Sequence, residues 1–307
     1  MMNLLNKTVV VTGGTGFIGK NLIHTLLNKG AIIYCYGRSK SKIEHLFGKT
    51  VIPITEFSMI GCDDKIDYVI HAACPTDSNM LAKFPSTTIE QIYSITKQSL
   101  EFANTKKARY LYISSMEVYD GRDGYLTEND VASFNPSILR NSYPIGKILS
   151  ELLVNSYHKE HGLNTVIVRL SNVFGPSCDK DSNKFFNYVI KQALKNNDII
   201  LNTTGNKIHN SCFIDDVINQ ILLILDSNYN ETYNITNELY SLSINDICNK
   251  IIMLTNSTSQ IKHKIEDGLY PKDSKHIISG QKIKNLFRIT QTDFDDTLRK
   301  TIQYFMN

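Results

Sequence analysis

Apolar and polar positions alternate along the first 175 residues in a pattern that predicts repeated strand–helix–strand units. Short apolar runs of strand length are separated by longer segments in which apolar residues recur at helical spacing. In residues 17–28, for example, Ile18, Leu22, Ile23 and Leu26 share one helix face. Because this alternation is typical of parallel sheets, we expect an α/β fold with a doubly wound parallel sheet.

The bounds of the predicted elements follow from the same pattern. The predicted strands are 8–12, 31–36, 51–55, 68–72, 109–114 and 165–170, and the predicted helices are 17–28, 89–103 and 145–161. After Pro176 the regularity weakens, and helices are predicted at 185–195, 215–225 and 244–253, with a loop at 256–260. We therefore expect a first domain over residues 1–175 and a smaller C-terminal α/β lobe over 176–307, with interleaving of elements allowed.

Composition and charge exclude several classes of protein. The chain has 307 residues, 42% of them apolar, and 33 basic against 30 acidic residues, which does not indicate a nucleic-acid or membrane partner. Six cysteines occur without a C-x-x-C pair, so we expect reduced thiols and no metal site. The N-terminus has no signal-peptide pattern and no apolar run is long enough to span a bilayer, so a cytoplasmic protein is expected.

A glycine-rich segment connects the first strand to the first helix. Glycines at this place allow a sharp turn and the close approach of a pyrophosphate, and the helix N-terminus offers free N–H groups to an anion. The alternative is a turn without a ligand. We predict a dinucleotide site at Gly13, Thr15, Gly16, Phe17, Ile18 and Gly19.

The second strand ends without the acidic residue that would accept hydrogen bonds from an adenosine ribose. Instead, Gly37 is followed by Arg38, Ser39 and Lys40. A guanidinium can bind a 2′-phosphate through two hydrogen bonds. Arg38 and Ser39 therefore predict a preference for NADP over NAD, although the same residues are also ordinary in a solvated loop.

A tyrosine and a lysine stand four residues apart in the third predicted helix. Tyr143 and Lys147 lie on one helix face, and the lysine charge favours the phenolate that a proton relay needs. Ser115 ends the preceding strand and can share a hydrogen bond with the same substrate oxygen. We predict that Ser115, Tyr143 and Lys147 form a catalytic set, rather than a structural tyrosine on an exposed helix.

Together, the 13–16–19 glycine spacing and the Ser–Tyr–Lys order resemble the extended short-chain dehydrogenase/reductases over nearly the whole chain. The resemblance implies a Rossmann-type fold and a cofactor diphosphate at the glycine loop. It also implies that Ala72 lies beneath the cofactor, with Tyr143 and Lys147 contacting it. His71 is then structural. The resemblance further implies a homodimer built through helices 89–103 and 145–161 as a four-helix bundle.

The segment from Arg169 to Pro176 is similar to one in enzymes that modify nucleotide-linked sugars. The resemblance implies that Asn172 contacts the substrate diphosphate. Phe185 is a candidate wall residue of the substrate pocket. His209 occupies the position where many relatives carry an arginine that binds substrate, so it is included as a substrate-binding candidate.

The tripeptide Ser115-Met116-Glu117 helps to distinguish between the reactions that such enzymes catalyse. Sugar 4,6-dehydratases carry an acid where Met116 stands, which disfavours dehydration. UDP-glucuronate decarboxylases resemble this chain around Glu117, which could act near the sugar, but the neutral His209 disfavours decarboxylation. We therefore predict an enzyme that transfers a hydride at a sugar carbon, which we expect to be C4. Such an enzyme would be a 4-keto-sugar reductase or a 4-epimerase. Decarboxylase-like and dehydratase-like enzymes, and a non-catalytic dinucleotide-binding scaffold or redox sensor, are the alternatives.

Overall fold

The structure is a computed structural model that describes residues 4–130, 132–265 and 274–307. Its strands are β1 Thr8–Thr12, β2 Ile32–Tyr36, β3 Ile52–Ile54, β4 Tyr68–His71, β5 Arg109–Ser115, β6 Gly124–Leu126, β7 Thr165–Leu170, β8 Asn172–Phe174, β9 Ile199–Leu201, β10 Ile208–Phe213, β11 Thr232–Ile235, β12 Asn237–Ser243, β13 Ile261–His263 and β14 Lys275–Ile278. Its α-helices are α1 Phe17–Asn28, α2 Lys40–Phe47, α3 Ser78–Lys83, α4 Pro85–Lys106, α5 Ser142–His161, α6 Phe185–Leu194, α7 Ile214–Asp226, α8 Ile244–Leu254, α9 Gln281–Leu286 and α10 Phe294–Met306. Short 3-10 turns lie at Phe57–Met59, Met116–Tyr119 and Leu139–Asn141.

The chain divides into two compact units. Unit 1 comprises the described residues of 1–121, 131–169 and 218–233, and unit 2 those of 122–130, 170–217 and 234–307. The predicted border between 175 and 176 lies a few residues beyond the border at 169. Two segments cross that predicted division, because 218–233 belongs to unit 1 and 122–130 to unit 2.

Unit 1 is built on a seven-stranded parallel sheet in the order β11-β7-β5-β4-β1-β2-β3. The strand order reverses at β1, which pairs with β2 on one side and β4 on the other. This is the predicted doubly wound, Rossmann-type arrangement, in which ligands bind at the carboxyl ends of the strands beside the reversal. Val9, Val10 and Val11 in β1 are fully buried, as expected for a strand covered on both faces.

Unit 2 contains a smaller mixed sheet. β10 pairs antiparallel with β12 and parallel with β14 and β8, and β14 pairs with β6. Its aromatic core centres on Phe174, whose ring lies 4.3 Å from that of Phe186, 5.9 Å from Phe213 and 5.7 Å from Phe294. Unit 2 is thus the smaller α/β lobe that the sequence predicts.

Most predicted elements exist with shifted ends. β1, β7 and α1 have the predicted bounds, whereas α4 begins at Pro85 rather than at 89 because proline fits the first turn of a helix. The prediction did not include α2 or the strands after residue 175. The predicted loop at 256–260 is free of regular structure.

Candidate active site

The glycine loop forms a tight turn at the carboxyl end of β1. Gly13 has φ +70°, and a Cβ there would lie 2.7 Å from the backbone N and Cα of Ala73. The Gly16 N–H donates to the Gly13 carbonyl at 2.9 Å, and the Ala72 N–H donates to Thr12 O at 3.2 Å. Gly13 therefore cannot carry a side chain, since it is pressed against the segment that follows β4.

The N-terminus of α1 is available to an anion. Gly16 is the N-cap, and within the described residues no side chain caps this helix and no acidic residue lies in its first turn. The first N–H groups of the helix thus have no side-chain partner, and their partial positive charge favours a phosphate. The predicted contacts Thr15, Phe17 and Ile18 lie in this turn. The loop fits the diphosphate of a dinucleotide.

The residues after β2 have different local roles. Arg38 is exposed, next to Gly37, which has no side chain to obstruct it. Ser39 is the N-cap of α2, where its hydroxyl accepts a hydrogen bond from the Lys42 N–H at 3.2 Å. Arg38 is therefore the group at this strand end with the charge to meet a phosphate, whereas the Ser39 hydroxyl is already engaged by the helix it caps.

His71 at the end of β4 is a structural residue. Its Nδ1 is 2.7 Å from Thr12 Oγ1 and its Nε2 is 3.1 Å from Thr96 Oγ1. Burial, with a contribution from the Lys147 charge, lowers its pKa to about 3. The neutral imidazole therefore ties β1, β4 and α4 together beneath the site, in agreement with the sequence interpretation.

Tyr143 and Lys147 lie on the first turns of α5, which packs closely against α4. Between them in the helix, Gly146 faces Ile92, and a Cβ at 146 would lie 3.0 Å from Ile92 Cδ1. The Lys147 side chain is 4% exposed, and its Nζ donates to the Ile113 carbonyl of β5 at 2.8 Å. The close helix contact and this hydrogen bond fix the positions of both side chains.

The Tyr143 phenol is surrounded by groups that act on its ionisation in opposite directions. Burial raises its pKa most strongly, and the nearby Cys74 thiol raises it further. The Lys147 ammonium and a hydrogen bond with the Ser115 hydroxyl lower the pKa, whereas the Glu117 carboxylate raises it. The structure thus brings Ser115, Tyr143, Lys147 and Glu117 together at the end of β5. A phenol held this way can accept a proton when Lys147 and Ser115 stabilise the developing charge.

Glu117 is held by an arginine that the sequence reasoning did not assign to the site. Arg140 Nη2 donates to Glu117 Oε2 at 2.9 Å, and the Arg140 guanidinium carbon lies 6.0 Å from the centre of the Tyr143 ring. Cys74, which packs against Tyr143, was also missed. The available signals were the position of Arg140 three residues before Tyr143 and that of Cys74 three residues after the end of β4.

A buried ion pair anchors the middle of α5 to β7. Arg169 donates to both carboxylate oxygens of Glu151, at 2.6 to 3.2 Å, and to the Tyr119 hydroxyl at 2.7 Å. The side chains of Arg169 and Glu151 are 13% and 7% exposed. Arg169, the first residue of the segment from Arg169 to Pro176, is therefore a structural residue that links β7, α5 and the turn after Ser115.

The three predicted substrate-binding residues lie in unit 2. Asn172 is exposed on β8, and Phe185 is half-buried at the first position of α6. His209 on β10 is 8% exposed, beside His276 of β14. Burial, with the positive charge of Lys207, lowers the pKa of His209 to about 4. The imidazole of His209 is therefore buried and neutral.

Two further features bear on the chemistry. Nowhere in 4–130, 132–265 or 274–307 do three or more His, Cys, Asp or Glu side chains form a group able to hold a metal ion. Within the same ranges, no helix has the length and apolar character needed to cross a membrane.

Comparison with known families identifies the class of protein. Residues 9–236 match the model of the NAD dependent epimerase/dehydratase family, and the chain belongs to this family. This is an enzyme family whose relatives act on nucleotide-linked sugars, so the resemblance drawn from the glycine spacing and the Ser–Tyr–Lys order is confirmed.

The curated relatives and solved structures that resemble this chain are named for different activities. The chain is 28% identical to UDP-glucuronic acid decarboxylase 6 of Arabidopsis thaliana, over 76% of this chain and 70% of the relative. It is also 28% identical to the UDP-N-acetyl-alpha-D-glucosaminuronate decarboxylase of Bacillus cytotoxicus, over 98% of both chains. UDP-glucuronic acid 4-epimerase from Bacillus cereus, in complex with NAD, has the same fold with a TM-score of 0.82, 22% identity, and 97% and 98% of the two chains covered.

Proposed function

We propose that this protein oxidises the C4 hydroxyl of a nucleotide-linked sugar, with Tyr143 as the proton acceptor. The observation that carries the proposal is the buried Tyr143 phenol, hydrogen-bonded to Ser115 and close to the Lys147 ammonium, in a member of the NAD dependent epimerase/dehydratase family. NAD or NADP, when bound at the Gly13–Gly19 loop, would supply reversible acceptance of a hydride from C4. The chain itself supplies proton transfer and orientation.

Each catalytic residue has a separate role in this proposal. Tyr143 takes the proton from the C4 hydroxyl as the carbon–oxygen bond becomes a carbonyl. Ser115 donates a hydrogen bond to the same oxygen, and the Lys147 charge stabilises the phenolate. Lys147 can do so because its Nζ is held on the Ile113 carbonyl rather than on a carboxylate. Such proton transfer commonly contributes about 10²–10⁴-fold in rate.

For the complete reaction, we propose decarboxylation of a nucleotide-linked uronic acid. Oxidation at C4 needs one proton acceptor and one hydrogen-bond donor, which Tyr143 and Ser115 already provide. The additional carboxylate of Glu117, next to Tyr143, fits a second proton transfer at the neighbouring C5. A 4-keto uronic acid loses CO₂ because the electron pair of the breaking bond passes into the ketone. The resulting enolate then takes a proton at C5, and the hydride taken from C4 is returned there, so that the C4 hydroxyl is restored and no net oxidation remains. The names of the curated relatives favour this outcome.

A 4-epimerase or 4-keto-sugar reductase is the second candidate, and His209 favours it. A neutral buried imidazole gives less attraction to a substrate carboxylate or diphosphate than an arginine does. In that case hydride exchange at C4 is the whole reaction and the carboxylate, if present, stays on the sugar.

The candidates separate when the purified protein is incubated with UDP-glucuronate, UDP-N-acetylglucosaminuronate and their neutral parents, UDP-glucose and UDP-N-acetylglucosamine. We expect CO₂ loss from one of the two acids, detected by mass spectrometry, and none with Tyr143→Phe. Inversion at C4 with the carboxylate kept would identify an epimerase. NADPH consumption with a 4-keto sugar would identify a reductase. Absence of turnover with every substrate, or full activity of Tyr143→Phe, would refute the enzymatic proposal and leave a binding scaffold or redox sensor.

The cofactor and its preference form a separate proposal. The family is named for NAD, and the comparisons give no support for NADP. Our proposal that NADP is accepted rests on Arg38, an exposed cation at the end of β2 where no acidic residue opposes a 2′-phosphate. Titration of the protein with both cofactors tests it, with Arg38→Ala as the variant. Tighter NAD binding that Arg38→Ala leaves unchanged would refute a role for this residue.

We also propose a homodimer through α4 and α5. Leu149 and Leu152 of α5 lie three positions apart and are 38% and 63% exposed. An exposed apolar helix face of this kind fits a surface that packs against a second subunit. Light scattering should give twice the chain mass, and Leu152→Lys should give the monomer. A monomeric wild-type protein at micromolar concentration would refute this assembly.

A further inference from the structure

An ion pair between Glu117 and Arg140 connects the two short turns beside the catalytic set. Glu117 lies in the 3-10 turn Met116–Tyr119, and its N–H donates to the hydroxyl of Ser115, the N-cap of this turn at the end of β5. Arg140 lies in the turn Leu139–Asn141, directly before α5. The hydrogen bond from Arg140 Nη2 to Glu117 Oε2, at 2.9 Å, therefore spans from the strand that carries Ser115 to the helix that carries Tyr143.

The pair also determines the charge balance around the phenol. Five groups from five segments face Tyr143 or its ring: Cys74 after β4, Ser115 of β5, Glu117 of the following turn, Arg140 of the turn before α5, and Lys147 of α5. Glu117 is the negative side chain in this set and opposes the phenolate, whereas Lys147 favours it. Arg140 contacts Glu117 directly, and its guanidinium carbon is 6.0 Å from the centre of the Tyr143 ring.

We propose that Arg140 is a positioning residue that holds the Glu117 carboxylate in place and compensates its charge beside the Tyr143 phenol. A guanidinium fork suits this task because it fixes a carboxylate in direction as well as in distance. The inference rests on the proposed function, since it assigns Arg140 to the proton transfer of that site.

The pair is unimportant for folding, which makes it testable by substitution. The side chains of Arg140 and Glu117 are 46% and 32% exposed, and ion pairs at such exposure contribute little to stability. With the dielectric constant of water, loss of a full charge at 6.0 Å corresponds to a shift of about half a pH unit in the ionisation of a neighbouring group. Removal of Arg140 should raise the pH at which the phenol ionises, and removal of the Glu117 charge should lower it.

The first test needs no substrate, so its failure is distinguishable from failure of the proposed function. Difluorotyrosine, whose phenol is more acidic than that of tyrosine, is incorporated at Tyr143 and titrated by ¹⁹F NMR. Arg140→Met should raise the midpoint by about half a pH unit, Arg140→Lys should raise it less, and Glu117→Gln should lower it. The double variant should return close to the wild-type midpoint.

The matched control is Lys97→Met, which removes the cation of an exposed ion pair with Glu101 on α4. It should leave the midpoint unchanged. An unchanged midpoint in Arg140→Met, or movement in the same direction in Glu117→Gln and Arg140→Met, would overturn the proposal.

Turnover supplies the second readout once a substrate is known. The acidic limb of the pH–rate profile should move to higher pH in Arg140→Met by the amount that the ¹⁹F titration gives. Arg140→Lys should move that limb less than Arg140→Met does but should lower kcat, because a lysine retains the charge and loses the fork. Equal kcat for Arg140→Lys and wild type would contradict the positioning role.

Discussion

Removal of the Arg169 guanidinium should destabilise unit 1 severely, although Arg169 belongs to a segment whose resemblance implies substrate binding. Arg169→Met leaves the Glu151 carboxylate, 7% exposed, without its partner, and removes the hydrogen bond from Arg169 to the Tyr119 hydroxyl. Breaking one side of a buried ion pair costs about 3–5 kcal/mol. Because Glu151 lies on α5, two turns after Tyr143, the same change should also lower activity.

The assay is a double-mutant cycle followed by guanidinium unfolding. We expect Arg169→Met and Glu151→Leu each to lose about 3–5 kcal/mol. The double variant should be more stable than either single variant, because no unpaired charge remains in the interior. Lys97→Met, which breaks an exposed pair, is the control and should change stability by less than about 1 kcal/mol. Losses that simply add in the double variant would refute the argument from the buried charge.

The remaining predictions concern the glycine loop, the buried histidines of unit 2 and Arg109 at the start of β5. Gly13→Ala should abolish NAD(H) binding and lower the melting temperature, because its Cβ overlaps the Ala73 backbone. Gly48→Ala is the control for backbone strain alone, since Gly48 has φ +58° and open space around the position of a Cβ. Equal effects of the two substitutions would contradict the explanation by overlap. Burial lowers the pKa values of His209 and His276 to about 4, so the stability of unit 2 should be complete above pH 6.5 and fall as the pH drops from 6.5 to 4, because the unfolded chain binds protons there that the fold does not. The loss should be on the order of 3 kcal/mol. A thermal melt that is flat between pH 7 and 4.5 would contradict this. Arg109→Met should lower the free energy of unfolding by about 3 kcal/mol, because the guanidinium donates to the Ile224 and Tyr229 carbonyls and to two asparagine side chains. Chemical unfolding measures this loss, and a change below about 1 kcal/mol would contradict the prediction.

The sequence predicts the elements of unit 1 well because its apolar pattern follows burial. β1 and β7 each contain a run of three consecutive apolar residues, and α1 follows the N-cap Gly16 and has one apolar face. By contrast, α2 has three lysine or histidine residues over its eight positions, so its stability depends on the Ser39 cap and on Ile43 and Phe47. Such a short polar helix has no periodic signal strong enough to be recognised.

In unit 2 the pattern fails because buried polar residues occupy the strands. β10 carries His209, Asn210 and Ser211, all buried, and these polar residues are typical of loops. Asn210 is accommodated because its side chain donates to the Ile278 carbonyl at 2.7 Å and accepts from the Ile278 N–H at 3.2 Å. A residue distant in sequence thus satisfies its hydrogen bonds, and that partner is not visible from local pattern.

The candidate site divides in a similar way. Ser115, Tyr143 and Lys147 are identifiable because their spacing reflects one strand end and one helix face. Arg140 was not assigned to the site because its position three residues before Tyr143 does not reveal its partner, and its importance depends on the distance to Glu117. Pairings between separate turns appear only once the chain has folded.

Because α4 and α5 approach each other closely at Gly146, a residue that only packs between these helices can affect the proposed reaction. The contact with Ile92 lies within the helical turn that separates the phenol from the ammonium. A bulkier residue at either position would tilt that turn and change how both groups meet the sugar oxygen. Turnover could therefore be tuned in steps by exchanging Ile92 for valine, leucine or methionine, without altering any residue that touches substrate or cofactor.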